Sequence, residues 1–360
     1  MATSYTVRES ISSSQSEPAA RTGANRSVAA WLYVCCALVF AMVVVGGANR
    51  LTHSGLSITE WQPIVGALPP LTDAQWQDAF AKYQLTPEYR QVNSAMTLAA
   101  FRGIFWWEYF HRLLGRVIGL VFLIPLIGFV AWRRVPRALA LQLLGIFALG
   151  AAQGALGWYM VQSGLVDDPR VSPFRLTAHL GLAVLIFAAM LWTAMTLRSP
   201  KRAELVVSGQ RATRRLAFMF AALVFVMMLS GGLVAGIRAG FAYNTFPLMN
   251  GRVVPPEILM LDPAWTNFFW NMATVQFDHR LLALILAVVA FILWRRLRVT
   301  PHLPARAVIG GDALVAMLAL QIALGVATLL YVVPVPLAAL HQAGALATLA
   351  LALNVAHALR

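Results

Sequence analysis

Apolar runs of about twenty residues recur eight times along this 360-residue chain, and few other features restrict a fold so strongly. A helix rises about 1.5 Å per residue, so about 20 residues cross the roughly 30 Å hydrocarbon core of a bilayer. The runs lie near residues 28–48, 111–131, 138–162, 174–197, 215–236, 279–297, 307–331 and 336–357. In lipid every backbone N–H and C=O must be satisfied internally, and runs of this length achieve that as helices. The sequence therefore predicts an all-α polytopic membrane protein. A composition of 59% hydrophobic against 12% charged residues, with mean hydropathy +0.70, excludes a pair of soluble domains. The first run is too long for a signal-peptide core and has no evident cleavage site, so it reads as a retained helix. Residues 1–27, rich in Ser, Arg and Ala, read as a disordered cytoplasmic tail.

The formal charge of +14 raises nucleic acid as a partner, and its distribution argues against one. Eight spans put both termini on one side. With the tail, the turns near 132–138 and 295–306, the linker 198–214 and the C-terminus assigned to that side, it holds 17 of the 28 Lys and Arg residues. The other side is nearly neutral, with 11 basic and 10 acidic residues. Positive charge marks the cytoplasmic face, so both termini are expected in the cytoplasm and the basic balance is a topology signal. Two outer segments are long, 49–110 and 237–278, and they carry Trp61, Trp76, Trp106, Trp107, Trp265 and Trp270. Tryptophan favours the membrane interface, and loops of such length suggest lids over a site.

The chain repeats itself. Gly46-Gly47 precedes Pro69-Pro70 by 23 residues, and Gly231-Gly232 precedes Pro255-Pro256 by 24. His111-Arg112-Leu113-Leu114 returns as His279-Arg280-Leu281-Leu282, at an offset of 168. Gln153-Gly154-Ala155-Leu156-Gly157 returns as Gln321-Ile322-Ala323-Leu324-Gly325 at the same offset, and His179 is matched by His341 at 162. Units of four spans are parallel repeats, so the expectation is two four-helix bundles, residues 28–197 and 215–360, related by a pseudo-two-fold axis along the membrane normal.

Four of the seven histidines, His111, His179, His279 and His341, open even-numbered spans at the outer side, at similar shallow depth. Ionisable residues inside a membrane are costly and point to function. Two imidazoles per half, without clustered carboxylates or thiolates, favour haem over zinc or copper, because a bis-histidine haem asks for two facing imidazoles and an apolar slot. His53, His302 and His357 have no histidine partner in the repeat and read as incidental. Arg112 and Arg280 follow two of the ligand candidates and suit haem propionates, which arginine can fork; snorkelling to headgroups is the competing reading. Glu108 lies three residues before His111, on one helix face if the helix extends that far, whereas Gln276 holds the equivalent place before His279. A carboxylate beside one site and an amide beside the other suggests that one half does proton-coupled chemistry and the other carries electrons. The Gly150/Gly154 pair reads as a close helix contact. Cys35 and Cys36 are adjacent in an apolar run and read as small buried residues without a disulfide.

The residues also resemble a known family. The stretch Gly47-Ala48-Asn49-Arg50-Leu51-Thr52 followed by Ser54-Gly55-Leu56-Ser57-Ile58-Thr59-Glu60-Trp61 is similar to the first outer loop of haem A synthases. The segments from Ile104 to Arg112, from Tyr243 to Met249 and from Val275 to Arg280, and the pair His341-Gln342, complete the likeness over roughly residues 30–357. The chain resembles the members, bacterial and mitochondrial, that lack an outer-loop cysteine pair. The resemblance implies oxidation of the C8 methyl of haem O to a formyl group, by two hydroxylations and loss of water, giving haem A for cytochrome c oxidase. It implies a resident haem B at His279 and His341, substrate haem at His111 and His179, and a catalytic Glu108. It further implies a multi-pass protein of the bacterial inner membrane with haem sites near the outer face, served by a haem O synthase and an electron donor. Oxidase assembly factors and a homo-oligomer are compatible with that setting. Ala100, where relatives often carry an acidic residue, departs from the pattern and bears on a surface contact. Two other classes compete: a bis-histidine cytochrome b-type quinol oxidoreductase, with two permanent haems and no need of Glu108, and a parallel-repeat transporter, with no Soret band.

Overall fold

The computed structural model describes residues 12–199 and 208–360. These residues form eleven helices: α1 Ser12–Leu51, α2 Asp73–Gln84, α3 Pro87–Gln91, α4 Leu98–Ala131, α5 Arg137–Gln162, α6 Pro173–Arg198, α7 Ser208–Gly236, α8 Asn267–Trp270, α9 Met272–Val299, α10 Ala305–Leu330 and α11 Val335–Ala358. Among the described residues there are no strands, and eight helices, α1, α4–α7 and α9–α11, are long and apolar enough to cross a membrane. Their shortest is 24 residues, about 36 Å at helical rise, which exceeds the hydrocarbon thickness.

Packing sorts the eight into an inner and an outer set. The inner helices α1, α6, α7 and α11 contact one another: α1 with α6 and α11, and α7 with α6 and α11. Helix α4 lies on α1 and α5, and α9 on α7 and α10. Burial follows the same division, with 44% of the apolar window of α6 inside the protein against 11% of that of α4. The core between the inner helices is closed by Leu32, Met190, Phe220 and Leu346, all fully buried. Residues Leu120, Ile124 and Ile127 of α4, and Leu284, Val288 and Phe291 of α9, face outward, as a lipid-contacting surface requires. Cys35 and Cys36 are free thiols buried in α1, in agreement with the sequence reading.

Helices α5, α6, α10 and α11 begin and end within two residues of the ranges read from sequence, and α4, α7 and α9 differ by more only at their starts. The departures are informative. Helix α4 starts at Leu98, thirteen residues before His111, and α9 starts at Met272, seven before His279. The extension of α4 is capped by Thr97, whose hydroxyl accepts from the Ala100 N–H at 3.3 Å. It is covered by aromatic side chains of the first outer segment: Tyr83 stacks on Phe101 at 5.1 Å, and Trp76 meets Phe105 edge-on at 4.9 Å. Helix α1 begins at Ser12, so the expected tail 1–27 is helical where described, and residues 1–11 lie outside the described residues. Part of the expected linker 198–214, residues 200–207, also lies outside them. Gly150 and Gly154 face open space, so the close helix contact expected there does not occur; they sit on the outward face of α5.

The first outer segment is a folded lid. A capping box between Thr72 and Gln75 opens α2, and Thr86 with Pro87 opens α3. Tyr109 donates to the Ala67 carbonyl at 2.8 Å and Arg116 to the Pro63 carbonyl at 2.8 Å, which strap the lid to α4. Phe101 is the fully buried keystone of this aromatic layer. Phe101→Ala is expected to cost about 3–5 kcal/mol of local stability. Limited proteolysis should then cleave within residues 49–97 faster than in the parent while the membrane helices survive; an unchanged digestion pattern would contradict the keystone role.

Candidate functional site

Each of the four histidines rests against a glycine of a neighbouring helix. A Cβ built on Gly46 of α1 would lie 2.9 Å from His111 Cε1, and one on Gly157 of α5 would lie 2.9 Å from His179 Cε1. In the second half a Cβ on Gly231 of α7 would lie 3.4 Å from His279 Cε1, and one on Gly325 of α10 would lie 2.7 Å from His341 Cε1. Gly46 and Gly231 are repeat counterparts, as are Gly157 and Gly325. In the sequence these glycines read only as markers of the repeat or of helix approach. Their role as imidazole seats went unread, although glycine recurring at equivalent places beside recurring histidine was the available signal.

The rings are held as well as seated. Gln153 Nε2 donates to the His179 carbonyl at 2.9 Å and lies 3.3 Å from a ring nitrogen of the same residue. Gln321 Nε2 repeats this at His341, 2.8 Å from the carbonyl and 3.1 Å from the ring. Ser230 Oγ lies 3.0 Å from His279 Nδ1. Fixing one ring nitrogen orients the other toward a ligand, which is how metal-binding histidines are usually supported. His111 and His179 are electrostatic neighbours, and so are His279 and His341. The two histidines of each half therefore lie within electrostatic reach of one another. The Nδ1 atoms of His111 and His179 are buried without a hydrogen-bond partner within the protein.

Glu108 is buried, one turn before His111 on α4, so the expected shared face is present. Four donors hold its carboxylate. Ser57 Oγ at 2.7 Å and the Ile58 N–H at 2.8 Å donate to Oε2, while Arg112 Nε and Nη2 donate to Oε1 at 3.0 and 2.6 Å. Arg112 also donates to the carbonyls of Ile58 and Glu60 at 2.7 and 3.0 Å. Glutamate and arginine together clasp the first lid to α4. Gln276 does the same for the second outer segment with reversed polarity: its Nε2 donates to the carbonyls of Ala239 and Tyr243 at 2.9 and 3.3 Å. Arg280 donates to Tyr243 O at 3.0 Å and to Gln276 Oε1 at 3.3 Å, and its Nε stays buried without a partner. Arg112 and Arg280, expected as propionate partners, are thus drawn largely into lid carbonyls that the sequence could not place.

Inside the lid, Glu88 is buried and accepts from the Tyr83 hydroxyl at 3.2 Å, and Asn93 Nδ2 donates to that hydroxyl at 2.7 Å. Burial raises the Glu88 carboxyl to about 7, against the lowering effect of the Tyr83 hydrogen bond; the Glu108 charge adds a smaller increase. In the second outer segment, Asn244 Nδ2 donates to the carbonyls of Gly240 and Leu329 at 2.9 and 2.8 Å, tying the loop to the end of α10.

The donor set suits a haem. Among the described residues no group of three or more His, Cys, Asp or Glu side chains is placed to hold a bare metal ion. Two imidazoles per site are what an iron already held by a macrocycle asks of a protein.

Comparison with known proteins agrees with this chemistry. A family model described as cytochrome oxidase assembly protein matches residues 29–353. The chain is 59% identical over 336 residues to the haem A synthase of Nitrosospira multiformis, covering 93% of this chain and 94% of that protein. It is 54% identical over 321 residues to the haem A synthase of Nitrosomonas eutropha, covering 88% and 89% respectively. It is 48% identical over 340 residues to that of Parvibaculum lavamentivorans, covering 94% and 96%. The chain belongs to the cytochrome oxidase assembly protein family.

The imidazole seats can be tested directly. Gly325→Ala would put a methyl group 2.7 Å from His341 Cε1, and overpacking of this kind costs about 1–3 kcal/mol. The Soret absorbance of the purified protein should fall in Gly325→Ala and stay at the parent level in Gly145→Ala, where the added Cβ meets nothing within 4 Å. Equal absorbance in both variants would contradict the seating.

Proposed function

We propose, with that family membership as the premise, that this chain is a haem A synthase, oxidising a methyl group of haem O to the formyl group of haem A. The observation that carries the reading is the duplicated pair of glycine-seated histidines, with Glu108 beside one pair and Gln276 beside the other. In this reading residues 28–197 and 215–360 are two four-helix halves. His111 and His179 are axial ligands of the substrate haem, and His279 and His341 are those of a resident haem B. The repeat exchanges α1 with α7 and α6 with α11, and the contact of α1 with α11 is matched by that of α7 with α6, which supports the pseudo-two-fold relation. The excess of Lys and Arg on the side of the termini supports an orientation with both termini in the cytoplasm and the haem sites near the outer face. A bacterial inner membrane is the setting in which a haem O synthase would supply the substrate and cytochrome c oxidase would consume the product.

Held by these histidines, haem would supply an iron able to exchange electrons and, at the substrate site, the methyl group to be oxidised. The protein's own part is to seat, orient and shield. The glycines let α1 and α5 approach the rings, and Gln153 and Gln321 fix the turn of His179 and His341. The lid, closed through Ser57, Ile58 and Arg112, excludes water above His111. Glu108 Oε2 is the atom that takes and returns a proton, with Ser57 Oγ 2.7 Å away as its neighbour in the exchange. Gln276 closes the second lid by donating to carbonyls and cannot hold a proton there, which suits a half confined to electron transfer.

Expression together with a haem O synthase, followed by extraction and chromatography of the haems, should yield haem A and its hydroxylated precursor. Absence of both would sink the synthase reading. In the same assay Glu108→Gln should keep its bound haem and lose product, since the amide preserves size while removing the proton acceptor; an unchanged product yield would reduce Glu108 to a clasp for the lid.

A further inference from the structure

A group of cations meets at the outer ends of α1 and α7, between the two halves. Arg50 lies on the last turn of α1, four residues beyond Gly46 and three beyond Gly47. Residues three and four apart share a helix face, and on that face Gly46 meets the His111 ring and Gly47 meets Gln342, the neighbour of His341. Arg50 therefore stands one turn, about 6 Å, outward of the His111 seat. Arg238 follows the end of α7 and is the repeat counterpart of His53, at the offset of 185 shared by Gly46 with Gly231 and Gly47 with Gly232. Both leave their helices through a left-handed residue, His53 at φ 55° and Arg238 at φ 58°. The two counterparts touch, Arg238 Nη2 lying 3.1 Å from His53 Nδ1. Partial burial, then the charges of Arg238 and Arg50, hold the His53 imidazole below its ordinary range, so that Nδ1 can accept this bond.

No carboxylate answers these charges. Among the described residues neither Arg50 nor Arg238 forms a salt bridge. Two carboxyls within electrostatic reach of Arg238 are committed elsewhere, Asp168 to Arg170 at 3.0 Å and Glu88 to Tyr83. Arg112 commits four hydrogen bonds to Glu108 and to the lid carbonyls. Like charges held together at the rim of an apolar slot repel one another and are stabilised by an anion that reaches both.

We propose that Arg50, supported by Arg238, binds a propionate carboxylate of the tetrapyrrole seated between His111 and His179, with His53 positioning Arg238. This assignment rests on the reading of that slot as a haem site. It makes His53 a positioning residue, and it places the carboxylate grip on the axis between the halves, away from Arg112.

The test uses the purified full-length protein with its resident haem. The slot is titrated with haem B or with haem B dimethyl ester, and uptake is followed by Soret absorbance. The parent protein should prefer the free acid by about tenfold, the equivalent of one charge-assisted hydrogen bond. Arg50→Gln should lose about tenfold for the free acid, keep its affinity for the ester and so treat the two alike. Arg50→Lys should recover most of the preference, and Arg238→Gln should show a smaller loss in the same direction. An Arg50→Gln protein that still prefers the acid, or that loses acid and ester equally, overturns the carboxylate assignment. Failure of the parent protein to take up any added haem would instead overturn the reading of the slot beneath it.

Discussion

An imidazole ring set against a glycine of the neighbouring helix, where no side chain stands at the contact, is the interaction on which this architecture depends. At Gly46, Gly157 and Gly325 the histidine comes closer than a Cβ would permit, whereas at Gly231 the approach is an ordinary contact, and each seat limits where its histidine can point. The seats tie α4 to α1, α6 to α5, α9 to α7 and α11 to α10, so they set both the depth of the candidate ligands and the pairing of the helices. The glutamines at 153 and 321 act on the same rings from the side, and each adds a second hydrogen bond to the helical carbonyl of its histidine. Burying polar side chains here is costly unless they are paired. Pairing them with the ring-bearing residues makes that requirement serve the site.

The lids are the second constraint. Both are latched one turn before a histidine, by a residue that reaches from the helix to loop backbone, and the two latches have opposite polarity. Glu108 accepts from Ser57 and Ile58, whereas Gln276 donates to Ala239 and Tyr243. A duplicated scaffold can thus keep the mechanical function in both halves while a charge survives in one. Four donors fix the position of the Glu108 carboxylate. The same four contacts would couple the proposed proton chemistry at Glu108 to closure of the lid above it. The proposed grip by Arg50 and Arg238 would add a third use of the repeat, since it rests on two counterpart residues meeting on the axis between the halves.

Much of this was legible in the sequence because lipid leaves so few options. Spans such as α5, α6 and α11 follow from the length of their apolar runs, and the histidine pairing follows from the repeat. The outer extension of α4 was not legible, because Phe101, Phe105 and Tyr109 turn toward lid aromatics and its hydropathy reads as an interfacial loop. Glycine was ambiguous for a related reason. Gly150 and Gly154 form the motif that suggests close packing yet face open space, while Gly157, one turn on, seats His179. What decides a glycine's role is the residue across from it, and that is a tertiary fact. The partners of Arg112 and Arg280 were hidden in the same way, because they are backbone carbonyls that no residue type announces. His53 read as incidental because its counterpart is an arginine rather than a histidine.

The central claim is that the two histidine pairs are haem ligands with different tenants. Quantifying the haem that co-purifies with His279→Ala and with His111→Ala tests it most directly. The account predicts that His279→Ala loses most of its resident haem B, while His111→Ala keeps it and loses product formation. Full retention of haem B in His279→Ala, or its loss from His111→Ala instead, would contradict the assignment of the halves.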